Sequence, residues 1–164
     1  VLTGVDTSVF GSAHPLAGME FQRQLERAAF AAGGGNYAAP CTTVGAFLNG
    51  TPPVLGAIRP SYRPGVRLVP PETYLPGMLA DALRGGVVLF GRKIQGFDAD
   101  EAVLTGVESR SSSPVRILRD KDCVSMSVRG LYPCGEGAGY AGGIVSAAVD
   151  GIRCAEALLT ADLT

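Results

Sequence analysis

The spacing of apolar residues along the chain predicts four helices, separated by segments without a helical period. The first helix opens at His14-Pro15, because proline suits the first helical position, and it ends at Gly33-Gly34-Gly35. In the predicted third helix, Gly85-Gly86 lowers the helix propensity of the second half. The predicted helices span 14–32, 42–48, 74–89 and 143–159. The last helix is expected to bury the face formed by Ile144, Ala147, Ala148, Gly151, Ile152, Ala155 and Leu158 or Leu159.

Shorter apolar segments predict strands. The segment 130–134 is apolar on both sides, as a buried strand would be, and the polar turn ESRSSSP (108–114) separates two of the others. The segment 50–71 is rich in proline and glycine, so it is predicted to be a surface loop or a domain connector. The predicted strands span 1–5, 101–107, 115–118 and 130–134. Helices and strands together predict a mixed α/β (α+β) fold.

Composition and charge exclude several classes of protein. The 14 Lys and Arg residues nearly balance the 15 Asp and Glu residues, and the net charge of -1 provides no basic field for nucleic acid or anionic lipid. No apolar run approaches the roughly 20 residues of a membrane helix, and the first residues do not resemble a signal peptide. We therefore expect a cytoplasmic protein that binds neither nucleic acid nor a membrane.

The side chains that could bind a metal ion are few. Cys41, Cys123, Cys134 and Cys154 form no C-x-x-C pair and the chain has one histidine, so no zinc or iron-sulfur site is predicted. The cysteines are interpreted as free thiols, with a disulfide pair as the alternative. His14 precedes a proline at a helix start, which favours a capping or surface role over that of a proton donor.

The most distinctive stretch is LYPCGEGAGYAGGIVSAAVDGIRCAEAL, residues 131–158. Gly137, Gly139 and Gly142 match G-x-G-x-x-G between a predicted strand and a predicted helix, which is the local context of a dinucleotide-binding fingerprint. A complete unit would need a second parallel strand after the helix, and the sequence stops about a helix length later. The stretch is therefore not a self-contained Rossmann unit.

Two interpretations of this loop remain. Residues without a Cβ allow close backbone approach, and the amides at the start of the following helix favour an anion or an electron-rich carbonyl. Glu136 adds a carboxylate that is suited to accept hydrogen bonds from sugar or ribityl hydroxyls. In the alternative interpretation, the small residues only allow a tight turn between strand and helix.

The stretch 130–158 resembles the C-terminal flavin-binding segment of the uncharacterised FAD-dependent dehydrogenases, NAD(P)/FAD-dependent oxidoreductases of the two-dinucleotide-binding-domain flavoprotein superfamily. Three other stretches resemble the same family in the same order: HPLAGMEFQRQLERAAFAAGGGNYAAP, SYRPGV with the later LP, and AVLTGVESRSSSPVRILRD. Residues 81–97 depart from the family pattern, so the third helix is expected to be short or irregular.

The resemblance implies an incomplete, C-terminal part of an FAD-dependent oxidoreductase, and the absence of an initiator Met also indicates a fragment or a processed chain. Residues 1–96 would supply helices of an inserted, substrate-side domain. Residues 97–164 would be the returning part of the FAD-binding domain, with strands and a final strand-loop-helix. The main glycine fingerprint for the FAD pyrophosphate is expected in the missing N-terminal unit.

The resemblance also implies which residues contact FAD in the full-length protein. Residues 135–136 resemble the acidic motif that contacts the ribityl chain, and residues 142–144 resemble the helix start beside the pyrimidine edge of the flavin. The turn 110–113 resembles a flavin-proximal segment, with a solvated hairpin turn as the alternative. The implied cofactor-binding residues are Gly135, Glu136, Gly142, Gly143, Ile144, Arg110, Ser112 and Ser113.

On this basis we expect the full-length protein to transfer hydride or electrons through the flavin to or from a small-molecule substrate that the sequence does not identify. The alternative is a non-enzymatic α+β binding module whose glycine loop holds another anion or is purely structural. The chain alone is expected to be inactive. Its returning strands (101–134) would lack their sheet partners, which favours self-association through open edges and apolar faces.

Overall fold

The structure is a computed structural model, and it describes residues 1–161. Within these residues it contains four α-helices, a 3-10 turn at Pro71–Thr73 and one three-stranded sheet, which confirms the predicted mixed α/β class. The helices are α1 (Ala17–Ala32), α2 (Val44–Asn49), α3 (Gly77–Gly91) and α4 (Ile144–Ala161). The strands are β1 (Ala39–Thr43), β2 (Val66–Leu68) and β3 (Val103–Thr105).

The chain forms two compact units. The first consists of Val1–Val9 and Arg23–Ser109, and the second consists of Phe10–Gln22 and the residues from Arg110 onward. The division of the sequence into 1–96 and 97–164 stays a prediction, because compactness does not show which segments belong to an inserted domain and which to a cofactor domain.

The sheet belongs to the first unit and has β1 at its centre. β2 pairs with β1 in parallel, from Ala39↔Val66 onward, and β3 pairs with its other edge in antiparallel, with Cys41 opposite Thr105. β1 is buried along its whole length, and the core of the unit continues into α2 and α3. The sequence did not indicate β1 as a strand because Pro40 interrupts a short segment, and proline is rare in central strands.

α1 and α3 correct the predicted helix bounds. α1 begins at Ala17, after a turn in which the Leu16 amide donates to His14 Nδ1 at 3.1 Å, in agreement with a capping role for His14. α3 runs through Gly85-Gly86 to Gly91 without a break, so the expectation of a short or irregular third helix was wrong.

Contacts of Arg84 with the rest of the first unit stabilise α3 despite its glycines. Its Nε donates to the Phe47 carbonyl at 3.1 Å, and its guanidinium lies 4.7 Å from the centre of the Phe47 ring. The same side chain forms ion pairs with Asp81 and Glu72. Tertiary contacts of this kind routinely outweigh intrinsic helix propensity.

Most of the predicted strands were wrong. Within residues 1–161, the segments 1–5, 115–118 and 130–134 form no ladder, and 101–107 contributes only the short β3. A strand needs a partner for its backbone groups, and the backbone near Ile117 bonds to a loop instead: its amide donates to the Ala138 carbonyl at 3.1 Å. An isolated bridge joins Arg119 and Ser125.

The predicted buried face of α4 was also wrong, because none of its residues is buried. The side of α4 that faces the rest of the second unit carries Asp150 and Cys154, which are both buried. Ile144 and Ile152, which were expected to be buried, are 92% and 60% exposed. The exposed apolar face of α4 consists of Ile144, Val145, Val149, Ile152 and Leu159.

Two further properties concern residues 1–161. None of the helices in this part of the chain combines the length and hydrophobicity needed to cross a bilayer. All four cysteines are free thiols, and no group of three or more His, Cys, Asp or Glu side chains in the same residues is placed to bind a metal ion.

Gly33→Ala is expected to destabilise the first unit. A Cβ at Gly33 would lie 1.9 Å from the Ala38 carbonyl oxygen, so the backbone between α1 and β1 would have to move, at a cost of about 1 to 3 kcal/mol. Gly85→Ala is the control: the Cβ would meet open space within α3, and alanine should stabilise the helix by about 0.5 to 1 kcal/mol. Urea unfolding measures both changes, and equal midpoints for the two variants would contradict the close approach.

Candidate functional site

The candidate site is built on residues 133–143, here called the glycine loop, which precede α4 in the second unit. The loop folds back on itself: the Gly139 amide donates to the Glu136 carbonyl at 2.9 Å, and the Tyr140 amide donates to the Gly135 carbonyl at 3.0 Å. This compact turn leaves the Glu136 side chain exposed to solvent.

The preceding segment 113–119 fixes the glycine loop from one side. Ser113 Oγ lies 3.2 Å from the Gly137 carbonyl oxygen, to which it can donate, and Arg116 Nε donates to the Gly139 carbonyl at 3.0 Å. The structure therefore brings Ser113, a predicted residue of the preceding turn, into contact with the loop. Ser112 and Arg110 lie at exposed positions earlier in that turn.

Two glycines of the loop are required by its backbone. Gly139 has φ +83°, and a Cβ there would lie 2.5 Å from the Val115 carbonyl oxygen. Gly135 has φ +70°, in the left-handed region that residues with a side chain rarely adopt. Both positions support the packing interpretation of the loop, because the fold itself demands glycine there.

The other glycines have no such requirement. A Cβ on Gly137 or Gly142 would meet nothing within 4 Å, and a Cβ on Gly143 would meet only Ser146 Oγ, at 3.7 Å, among the residues that the structure describes. Their φ angles lie outside the left-handed region. Packing within this chain therefore does not explain these three glycines, and the space in front of the start of α4 is open.

An open depression of about 760 Å³ lies at the start of α4. It contains two of the predicted residues, Gly143 and Ile144. Its lining combines aliphatic side chains with a tyrosine, a serine and two charged groups: Tyr140, Gly143, Ile144, Val145, Ser146, Val149, Asp150 and Arg153. The depression therefore offers a ligand both apolar surface and polar groups.

An ion pair lies under the glycine loop. Arg119 Nη2 donates to Asp150 Oδ1 at 2.6 Å, and the Gly135 amide donates to Asp150 Oδ2 at 2.9 Å. The hydrogen bond from Arg119, together with that from Gly135, lowers the pKa of Asp150 to about 2. The hydrogen bond with Asp150 raises the pKa of Arg119. Both groups are therefore charged throughout the neutral range.

Cys154 lies beside this ion pair and is not suited to nucleophilic chemistry. Arg119 Nη1 contacts its Sγ at 3.1 Å, but burial raises the pKa of the thiol to about 11. The thiol is thus protonated at neutral pH, whereas reactive cysteines have a lowered pKa.

Sequence reasoning found the loop and missed the side chains that hold it. Gly143 and Ile144 line the depression at the start of α4, and Glu136 and Gly142 lie in the preceding glycine loop. The roles of Arg119 and Asp150 were not predicted. A weak indication was available, because Asp150 is an acidic residue within the otherwise apolar VSAAVDGI, and a charge in such a position usually has a buried partner.

Comparison with known proteins indicates a family of FAD-dependent proteins. Residues 1–111 match the family described as "FAD-dependent protein, C-terminal domain-like". An uncharacterized protein of Clostridium beijerinckii is 48% identical over 151 residues, which cover 92% of this chain and 28% of that protein. The chain thus spans less than a third of the length of this relative.

The two matches together cover both units. The relative is aligned over 151 of 164 residues, and any stretch of that length includes the glycine loop. The similarity therefore extends beyond residue 111 to the candidate site. Since the family match alone covers more than half of the sequence, the chain belongs to the family of FAD-dependent proteins, C-terminal domain-like.

Proposed function

We propose that this chain is the part of an FAD-dependent oxidoreductase that completes its flavin site, with the glycine loop and the start of α4 against the ribityl chain and the pyrimidine edge of the flavin. The observation that carries the proposal is the open space at Gly137, Gly142 and Gly143. Glycines that packing does not require, next to the amide end of an 18-residue helix, are what a closely approaching polar ligand needs.

The residues present fit the polar and apolar parts of the flavin. The exposed Glu136 carboxylate can accept hydrogen bonds from ribityl hydroxyls, and the first amides of α4 point out of the helix start toward an electron-rich edge. Ile144 and Val145 supply exposed aliphatic surface beside these groups, at 92% and 77% exposure. The adenosine and pyrophosphate would be held by the rest of the longer polypeptide.

The chemistry that FAD supplies when bound is acceptance and donation of a hydride or of electrons at flavin N5. The residues of this chain would contribute orientation and charge stabilisation. The positive end of the α4 dipole favours negative charge at the adjacent edge of a reduced ring, by about 0.3 to 1 kcal/mol at an exposed site and more when water is excluded. Glu136 would fix the position of the ribityl chain.

The remaining parts of the proposal concern the whole protein. We assign residues 1–96 to a substrate-side domain and 97–164 to the FAD-binding domain, and we expect a small-molecule substrate. This division is supported by the order of the family-like stretches in the sequence. The cytoplasmic location expected from the sequence belongs to the same proposal.

Reconstitution of the full-length protein tests the proposed function. The protein is purified without added flavin, titrated with FAD, and followed by the flavin absorbance and by equilibrium dialysis. Saturable binding of one FAD per chain is expected. Absence of both yellow colour and saturable binding would overturn the proposal and favour the binding module with another anion or a purely structural loop.

Glu136→Ala in the full-length protein should weaken FAD binding by about tenfold to a hundredfold. Charge-assisted hydrogen bonds to the ribityl hydroxyls are worth about 1.5 to 3 kcal/mol, and each 1.4 kcal/mol corresponds to a factor of ten. Glu156→Ala is the matched control, because Glu156 is also exposed but lies three turns into α4. A dissociation constant equal to that of the wild type would remove Glu136 from the site.

A further inference from the structure

Arg119 and Asp150 form a doubly bonded ion pair to which the proposed function gives no role. Arg119 Nη2 and Nη1 donate to the two carboxylate oxygens of Asp150 at 2.6 and 2.9 Å. The two side chains are only 11% and 10% exposed. Burying such a pair costs free energy, because both charges lose their hydration. The pair stabilises the fold only when its geometry is good and further hydrogen bonds are made to it.

Two backbone groups in the first part of the glycine loop add hydrogen bonds to the pair. Arg119 Nη1 also donates to the Pro133 carbonyl at 2.7 Å, and Asp150 Oδ2 accepts the Gly135 amide at 2.9 Å. Since Asp150 lies in α4, one carboxylate ties the loop directly to the helix whose amide end the cofactor would approach.

The same arginine also fixes the second part of the loop. Its guanidinium lies 3.7 Å from the centre of the Tyr140 ring, and its backbone amide donates to the Tyr140 hydroxyl at 3.1 Å. The Tyr140 hydroxyl in turn lies 3.1 Å from the Ile117 carbonyl oxygen, to which it donates. Residues on both sides of Glu136 are therefore attached to one ion pair.

We propose that Arg119 and Asp150 are positioning residues that hold Glu136 and the open glycines in a fixed relation to the start of α4. The proposal rests on the proposed function, since it concerns the geometry of that flavin site. Arg119 acts through the loop rather than through contact with the flavin. The pair preorganises the loop, so that FAD binding does not have to order it.

The obvious competing explanation is that the pair only stabilises the second unit. The two roles predict different outcomes, because a structural pair changes the free energy of unfolding, whereas a positioning pair also changes cofactor affinity in protein that remains folded. Conservative variants separate them. In Asp150→Asn one carboxylate oxygen is replaced by an NH2 group, which must then face an N–H donor. Arg119→Lys replaces the planar guanidinium, which reaches Asp150 and Pro133 together, with a single ammonium group.

Arg84→Lys is a matched control in the first unit. Arg84 resembles Arg119 in its contacts, since it pairs with Asp81 and Glu72, donates to a backbone carbonyl and lies over the Phe47 ring. Its replacement should lower stability by a similar amount and leave FAD affinity unchanged.

The experiment uses the full-length protein and two measurements. Hydrogen exchange in flavin-free protein should show amides of 134–140 exchanging about tenfold faster in Arg119→Lys and Asp150→Asn, with the rest of the chain protected. The FAD dissociation constant of the same variants should rise about tenfold, which corresponds to about 1.4 kcal/mol, and the midpoint potential of the bound flavin should become more negative.

Three results would overturn the positioning role even where the wild-type protein binds FAD. Faster exchange without a change in FAD affinity would make the pair structural, and unchanged exchange would show that the pair does not order the loop. Loss of affinity in Arg84→Lys to the same degree would show a general stability effect. If the wild-type protein binds no FAD, the proposed function fails, and this positioning role fails with it even where exchange accelerates.

Discussion

Gly143→Val in the full-length protein is expected to lose FAD while the protein keeps its fold. A side chain at this position meets only Ser146 Oγ, at 3.7 Å, and the backbone there is not left-handed, so the described fold can accept it. The branched side chain would stand between the first amides of α4 and the pyrimidine edge of the flavin. Loss of contact with these amides should weaken binding at least about a hundredfold, or about 2.7 kcal/mol.

The measurement is an FAD titration combined with circular dichroism. Gly77→Val is the matched control, because Gly77 also lies at the start of a helix and a Cβ there meets nothing within 4 Å. It should bind FAD normally. Gly139→Val is the opposite case and should lose its fold, since a Cβ would lie 2.5 Å from a backbone carbonyl oxygen. Normal flavin binding by Gly143→Val would support the packing interpretation of the loop.

The helices and the position of the glycine loop could be predicted because their signals are local. Apolar spacing, a proline at the start and glycines at the end specify α1 within a few residues, and the glycines before α4 mark its first turn. Local propensity was misleading in α3, where Arg84 and its partners stabilise a helix through Gly85-Gly86. Such contacts depend on residues that are distant in the sequence.

The strands and the ion pair could not be predicted for a related reason. A strand exists only where a second strand bonds to it, and the apolar residues of 115–118 and 130–134 do not show whether such a partner is present. Arg119 and Asp150 are separated by 31 residues, and only the fold brings them together. Their pairing also turns Asp150 inward, which places Ile144 and Ile152 on the exposed side of α4.

The exposed apolar face of α4 leads to a prediction for the 164-residue chain on its own. Exposed aliphatic side chains along one side of an 18-residue helix form a contiguous patch of the kind that mediates association. We expect the isolated chain to self-associate, and Ile152→Glu to reduce the association without unfolding α4, because residue 152 lies 60% exposed in mid-helix.

Light scattering measures the association, and Met78→Glu is its control. Met78 is 57% exposed on α3, so the substitution adds the same charge elsewhere and should leave the association intact. Equal masses for the wild type and Ile152→Glu would show that α4 is not the contact.

The isolated chain is also expected to be colourless. It would offer FAD only the contacts of Glu136 and the start of α4, against an association cost of at least about 4 kcal/mol. The adenosine and pyrophosphate would have no partner in these 164 residues under the proposed division of the site. Isothermal titration should therefore show no sub-micromolar FAD binding, either in the wild type or in the dissociated Ile152→Glu variant. In that variant self-association does not cover the start of α4. Tight FAD binding by it would therefore place the whole cofactor site within this chain and contradict the proposed division of the FAD site.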